Sequence, residues 1–190
     1  MKKFIVIRHC KAEGQEIEAR LTKEGELQSL ELKEFFLSKG YYIDKIISSP
    51  YKRAIDSVNY LAKELSLPIH VDERLGERVL SNNSLPNWRE LLEQTFVDID
   101  MSLEGGESSR DAITRAVAVI REQLDRKDQT ILIVTHGNLM TLLLKHFDSK
   151  FGFNEWSQLS NPDVYEIEEE DDGVNKIKRV WNTTILSEKS

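Results

Sequence analysis

The chain reads as an α/β protein: a three-layer α/β/α sandwich with a mostly parallel central sheet and one small inserted cap. Three observations predict it. Short apolar runs recur at Phe4 to Ile7, Ile43 to Ser48 and Ile131 to Val134, the pattern of strands buried on both faces. Stretches with helical spacing lie between them. A polar turn carrying reactive residues follows each run directly. With 190 residues and 39% hydrophobic composition, the chain can bury an ordinary core, so it is expected to form a single domain over residues 1–190.

After the first strand, "LTKEGELQSLELKEFFLSKG" predicts a helix beginning near Thr22, with Gly40 just past its end, although its apolar face is broad. After the second strand, Tyr51, Ala54, Ile55, Val58, Leu61, Ala62 and Leu65 keep three-and-four spacing, and Pro68 requires that helix to have stopped. A further helix is expected from about Asp111 to Arg126, capped by Ser108 or Ser109 and leading into the third strand. The interval from about 76 to 108 differs. It is polar at both ends around one amphipathic piece with Trp88, Leu91, Leu92 and Phe96, and reads as an insertion covering one end of the sheet. "VYEIEEEDDGVNKIKRVW" predicts two alternating strands joined at Asp172-Gly173, a late hairpin on the sheet edge.

Bulk charge narrows the function. A formal charge of -7 and a pI near 5.2 argue against nucleic-acid binding, which needs a basic face to displace counterions. The opening "MKKFIVIRHC" has too few consecutive apolar residues for a signal-peptide core or a membrane span, so a cytoplasmic protein without membrane contact is expected. The single cysteine forms no internal disulfide and supports no cysteine-rich metal site.

The chemistry is concentrated where the strands end. In a parallel sheet these carboxyl ends share one edge, where α/β proteins hold ligands. The first strand delivers Arg8 and His9, the second Ser49 and Arg53, the third Thr135, His136 and Gly137. Two guanidiniums and two imidazoles in a small volume suit a phosphate group. No GxxxxGK(S/T) loop, GxGxxG fingerprint or cluster of metal-binding carboxylates and histidines appears, so neither metal nor cofactor is expected. A protein nucleophile remains. Cys10 is one candidate, yet the C-x5-R loop of cysteine phosphatases would need arginine at position 16, which is Glu16. The other is His9, whose neutral imidazole can attack phosphorus while cations offset the charge on the equatorial oxygens.

Arg8-His9, "LTKEGELQ", "SSPYKRA", "LGER" at Leu75 to Arg78, "GGES" at Gly105 to Ser108 and "THGN" form an ordered set. That set, from about Phe4 to the helix after Gly137, resembles the histidine phosphatase superfamily, also called the phosphoglycerate mutase-like family. The resemblance implies a phosphohistidine on His9, with Arg8, Arg53 and His136 binding the phosphoryl group. It also implies that Glu77 protonates the leaving oxygen and then takes a proton from water. Glu73 and Glu107 lie close in sequence, but the "LGE" match favours Glu77. Substrate contacts are expected from Gln15, Ser49, Thr22, Gly137 and Asn138. The family usually reads R-H-G-E/Q-T/S-x-x-N, whereas this chain has Cys10, Lys11 and Ala12 and lacks the asparagine; Gln15 is the expected substitute donor. Cys10 reads as a small, partly buried residue where the family has glycine, open to oxidation beside the arginines. His70 and His146 read as structural. The expected function is a metal-independent phosphatase acting on a small phosphorylated metabolite. The alternatives are phosphoglycerate mutase-type transfer, or a catalytically silent member of the fold that binds a phosphate ligand.

Overall fold

The structure, a computed structural model, describes residues 2–124, 126–169 and 175–181. Its strands are β1 (Lys3–Arg8), β2 (Lys45–Ser48), β3 (Ile69–Val71), β4 (Thr130–Thr135), β5 (Asp163–Glu169) and β6 (Asn175–Arg179). They form one sheet in the order β3-β2-β4-β1-β5-β6. β3, β2, β4 and β1 are parallel, β5 is antiparallel to β1, and β6 to β5, so β5 alone runs against the rest. The helices are α1 (Lys23–Ser38), α2 (Lys52–Leu65), α3 (Trp88–Val97), α4 (Ser109–Leu124), α5 (Gly137–Phe147) and α6 (Phe153–Ser157).

The period of two along the central strands divides the hydrophobic residues between two cores. Phe4, Val6, Ile131 and Ile133 face one side, packed with Leu92 and Phe96 of α3, Val117 and Ile120 of α4, and Leu139 and Leu143 of α5. Ile5, Ile7, Leu132 and Val134 face the other, against Leu32 and Phe36 of α1 and Val58 and Leu61 of α2. This is the three-layer α/β/α arrangement. Leu132 is fully buried, and truncating such a residue to alanine costs about 2–5 kcal/mol.

The first two helices end and begin as their sequences predict. Thr22 caps α1 by accepting the Gly25 N–H at 3.0 Å, and Gly40, with φ of 68°, follows its end. α4 begins at Ser109, with the Ser108 hydroxyl accepting the Asp111 N–H at 3.1 Å. The second strand begins at Lys45, two residues after the expected Ile43, which is buried outside the sheet. β3 was not foreseen: one half-exposed and two exposed residues on a sheet edge carry no apolar run. The late hairpin is present as β5 and β6, although its expected turn at Asp172-Gly173 lies outside the described residues.

The segment from 76 to 108 starts after a 3-10 turn at Glu73–Leu75 and carries α3. Its two polar ends run side by side, with Glu107 N–H donating to the Val79 carbonyl at 3.0 Å and Asn82 N–H to the Glu104 carbonyl at 3.1 Å. Only glycine fits at position 106, where a β-carbon would stand 2.2 Å from the Leu80 carbonyl oxygen. Arg78, buried, is held inside the segment by Thr95 Oγ1 at 2.7 Å and the Glu107 carbonyl at 3.1 Å. Among the described residues no helix is long and apolar enough to cross a membrane.

Candidate active site

Strand register assembles the site. β1 and β4 pair as far as Arg8 and Thr135, and β2 and β4 as far as Ser48 and Val134. The pairing continues as His9 N–H donates to the Thr135 carbonyl at 3.1 Å and Ser49 N–H to the Val134 carbonyl at 2.9 Å. His9, Ser49 and His136 therefore leave the same edge together, and the two imidazoles meet edge to face with centroids 5.1 Å apart.

The hydrogen bonds of His9 select one tautomer. Its Nδ1 lies 2.6 Å from the Cys10 carbonyl oxygen, and its Nε2 lies 3.2 Å from Nε of Arg53. A carbonyl only accepts and a guanidinium only donates, so Nδ1 carries the proton and Nε2 keeps a lone pair. Burial lowers the His9 pKa to about 3, and the positive charges of Arg53 and Arg8 push it the same way. The ring is neutral at neutral pH. His136 is also held well below the usual histidine range by burial and then by neighbouring His9 and Arg53. Its Nε2 is 2.7 Å from Ser49 Oγ, its ring meets that of Tyr51 at 4.6 Å, and its Nδ1 is buried without a partner.

The arginines are desolvated and short of counter-charge. Arg53 is 1% exposed, donates to the Gln15 and Glu16 carbonyls at 3.0 and 2.8 Å, and lies over the Tyr51 ring. Arg8 donates from Nη1 to the Leu159 and Ser160 carbonyls at 3.1 and 3.3 Å, while its Nε is buried without a partner. Burial lowers the pKa of both, opposed chiefly by Glu77, and neither forms an ion pair among the described residues. Buried cations with unmet donors favour an anionic ligand.

Glu77 reaches this cluster from the start of the 76–108 segment. Its Oε1 accepts the Leu139 and Arg78 N–H groups at 3.0 and 2.9 Å, and its Oε2 accepts that of Asn138 at 3.1 Å. The carboxylate thus caps α5, whose positive end favours it. Glu107, the neighbouring candidate, is paired instead with Arg115 at 2.6 Å. Gly137 lies against the Arg8 guanidinium, and the buried Asn138 amide has no partner at either atom.

Arg8, His9, Ser49, Arg53, Glu77, His136, Gly137 and Asn138 are brought together. Two expected contacts fall elsewhere. The Thr22 hydroxyl is engaged in capping α1, and the exposed Gln15 contributes its backbone carbonyl to Arg53. Cys10 is fully buried, and burial pushes its thiol up to about 12, so it is neither an activated nucleophile nor an accessible thiolate. Sequence reading missed the loop before β5, because Leu159 and Ser160 act through carbonyls, which no side-chain pattern displays. That loop is pinned by the buried Asp163, which accepts the Ser160 N–H at 3.0 Å and pairs with Arg179 of β6 at 2.6 Å. Among the described residues no group of three or more histidine, cysteine or acidic side chains is arranged to hold a metal.

Residues 4–183 match the family model of the histidine phosphatase superfamily, branch 1. The chain belongs to that superfamily. It is 24% identical to the 2,3-bisphosphoglycerate-dependent phosphoglycerate mutase of Corynebacterium kroppenstedtii, over 91% of this chain and 89% of the relative. The Corynebacterium glutamicum enzyme of the same name is also 24% identical, with the same coverages. Among solved structures, a mycobacterial glucosyl-3-phosphoglycerate phosphatase superposes with a TM-score of 0.73 at 21% identity, over 95% of this chain and 98% of the other. A mutant phosphoserine phosphatase from Entamoeba histolytica, in complex with phosphoserine, gives 0.70 at 20% identity, over 94% and 95%. These structural likenesses show the fold.

Proposed function

We propose that this chain is a metal-independent phosphatase of the cytoplasm that hydrolyses a small phosphomonoester through a phosphohistidine on His9. The observation that carries this reading is the fixed tautomer of His9, which presents an Nε2 lone pair among Arg8, Arg53 and His136. Phosphoryl oxygens take over the guanidinium now donating to Nε2. The lone pair then forms the N–P bond as the ester P–O bond breaks. Glu77 gives its proton to the leaving oxygen and later removes one from the water that breaks the N–P bond, releasing phosphate and restoring His9. Oε2 of Glu77 accepts a single N–H, from Asn138, and so keeps a lone pair for that proton, whereas Oε1 already accepts two. The segment from 76 to 108 supplies Glu77 and is the cap that selects the leaving group.

A second reading is a mutase, favoured by the names of the two curated relatives. Incubation with a phosphoglycerate separates the two: free phosphate supports the phosphatase, isomerised product the mutase. A panel of phosphorylated metabolites scored for phosphate release, with acid-labile phosphoenzyme trapped in wild type and absent from His9→Ala, tests the main reading. Activity retained by His9→Ala and lost by Cys10→Ala overturns it.

A further inference from the structure

The tautomer of His9 depends on one acceptor, the Cys10 carbonyl oxygen. Three side chains outside the reacting set hold the backbone that presents it. The Cys10 carbonyl shares a peptide group with the Lys11 N–H, which donates to Oε1 of Gln28 on α1 at 2.8 Å. The preceding peptide group is gripped at both edges: Asn161 Nδ2 donates to the His9 carbonyl at 2.8 Å, and Oγ of Ser57 on α2 accepts the Cys10 N–H at 2.8 Å. The Ser57 hydroxyl proton goes to the Arg53 carbonyl at 2.6 Å, which leaves its oxygen lone pairs to face Cys10.

We propose that Gln28, Ser57 and Asn161 are positioning residues that clamp the His9–Lys11 backbone and thereby keep the Nε2 lone pair of His9 available to phosphorus. The role rests on the reading of His9 as nucleophile. Two consecutive peptide planes have few soft dihedrals between them, and each plane is tied to a different structural element. Turning the second plane moves the Cys10 carbonyl away from Nδ1. The imidazole proton then redistributes between its nitrogens, and molecules protonated at Nε2 have no lone pair to attack with. A donor bond at the Lys11 N–H also polarises the shared carbonyl and strengthens its grip on Nδ1. None of the three side chains touches the reacting atoms.

The test is nitrogen-15 spectroscopy of the histidine rings in ligand-free protein, combined with steady-state kinetics. Wild type is expected to show His9 protonated at Nδ1 and bare at Nε2. Gln28→Leu, Ser57→Ala and Asn161→Leu should each show mixed tautomers and a kcat lowered about ten- to a hundredfold with KM nearly unchanged. Ser57→Thr and Gln28→Glu, which keep an acceptor, should restore both readouts. Should the buried Ser57→Ala fail to fold, Gln28→Leu carries the test from a half-exposed position. A wild-type ring spectrum and wild-type kcat in Gln28→Leu and Asn161→Leu overturn the proposal. The ring spectra need no turnover, so a tautomer fixed in wild type and mixed in the variants of a protein that forms no phosphohistidine upholds the clamp and removes only the catalytic reading.

Discussion

A β-carbon on Gly137 would stand 3.1 Å from Nε of Arg8. That spacing is tighter than ordinary contact, and Arg8 is not free to retreat, because its Nη1 is held by the Leu159 and Ser160 carbonyls. Gly137→Ala should therefore shift the guanidinium by a few tenths of an ångström and weaken phosphate binding. The expected result is a KM for phosphomonoester raised about tenfold, equivalent to about 1.4 kcal/mol of lost interaction. Unchanged kinetics in a folded Gly137→Ala protein would show that Arg8 is not in the anion site.

Glu77 caps α5 and, in the proposed mechanism, also cycles a proton; two substitutions distinguish these roles. Glu77→Gln keeps one carbonyl acceptor for the start of α5 but cannot cycle a proton, so kcat should fall about 10²–10⁴-fold with stability little changed. Glu77→Ala should lose the same activity and, in addition, about 0.5–2 kcal/mol through the uncapped Asn138 and Leu139 N–H groups. Urea titration of both variants checks the difference.

Stability should depend on pH through His9. Its pKa is about 3 in the folded chain because of burial, against about 6.5 when unfolded. Between those values the unfolded chain binds more protons than the folded one, so this contribution is complete above about pH 6.5 and lost as pH falls toward about 3. The slope is at most about 1.4 kcal/mol per pH unit for one histidine. The unfolding midpoint in urea should therefore drop from about pH 7 to about pH 5, and drop less in His9→Gln. Identical drops in the two proteins would assign the acid sensitivity elsewhere.

Cys10 should be chemically quiet in the native state. With its thiol fully buried and raised to about 12, alkylation by iodoacetamide should be slow when folded and rapid in urea. Cys10→Ala should retain most activity, and peroxide should inactivate both proteins alike. Faster inactivation of wild type would mean that the thiol becomes exposed during turnover.

The site was legible where chemistry and strand ends coincide. Arg8, His9 and His136 stand at the ends of apolar runs, where parallel register brings them to one edge, and Arg53 lies in the first turn of the helix that follows the second strand. α2 was legible from unbroken spacing. α1 was legible from its boundaries, Thr22 and Gly40, because Leu27, Leu30 and Leu37 are exposed and blur its buried face. That boundary also explains Thr22: a hydroxyl at a helix start is first a capping group, and the motif match alone did not separate capping from substrate contact. What sequence did not display is backbone chemistry. The carbonyls of Cys10, Gln15, Leu159 and Ser160 orient the reactive side chains, and any residue type offers the same oxygen.

The pairing of Asp163 with Arg179 ties this site to the outermost strand of the sheet. Arg8 grips a carbonyl 151 residues further along, on the loop which that pair holds in place. On the ribosome, Arg8 and His9 are thus made long before the support for the Arg8 guanidinium exists. Chains lacking β6 would carry Arg8 and His9 without the Asp163–Arg179 pair that holds the loop under Arg8, so this corner of the molecule is completed only by the last strand.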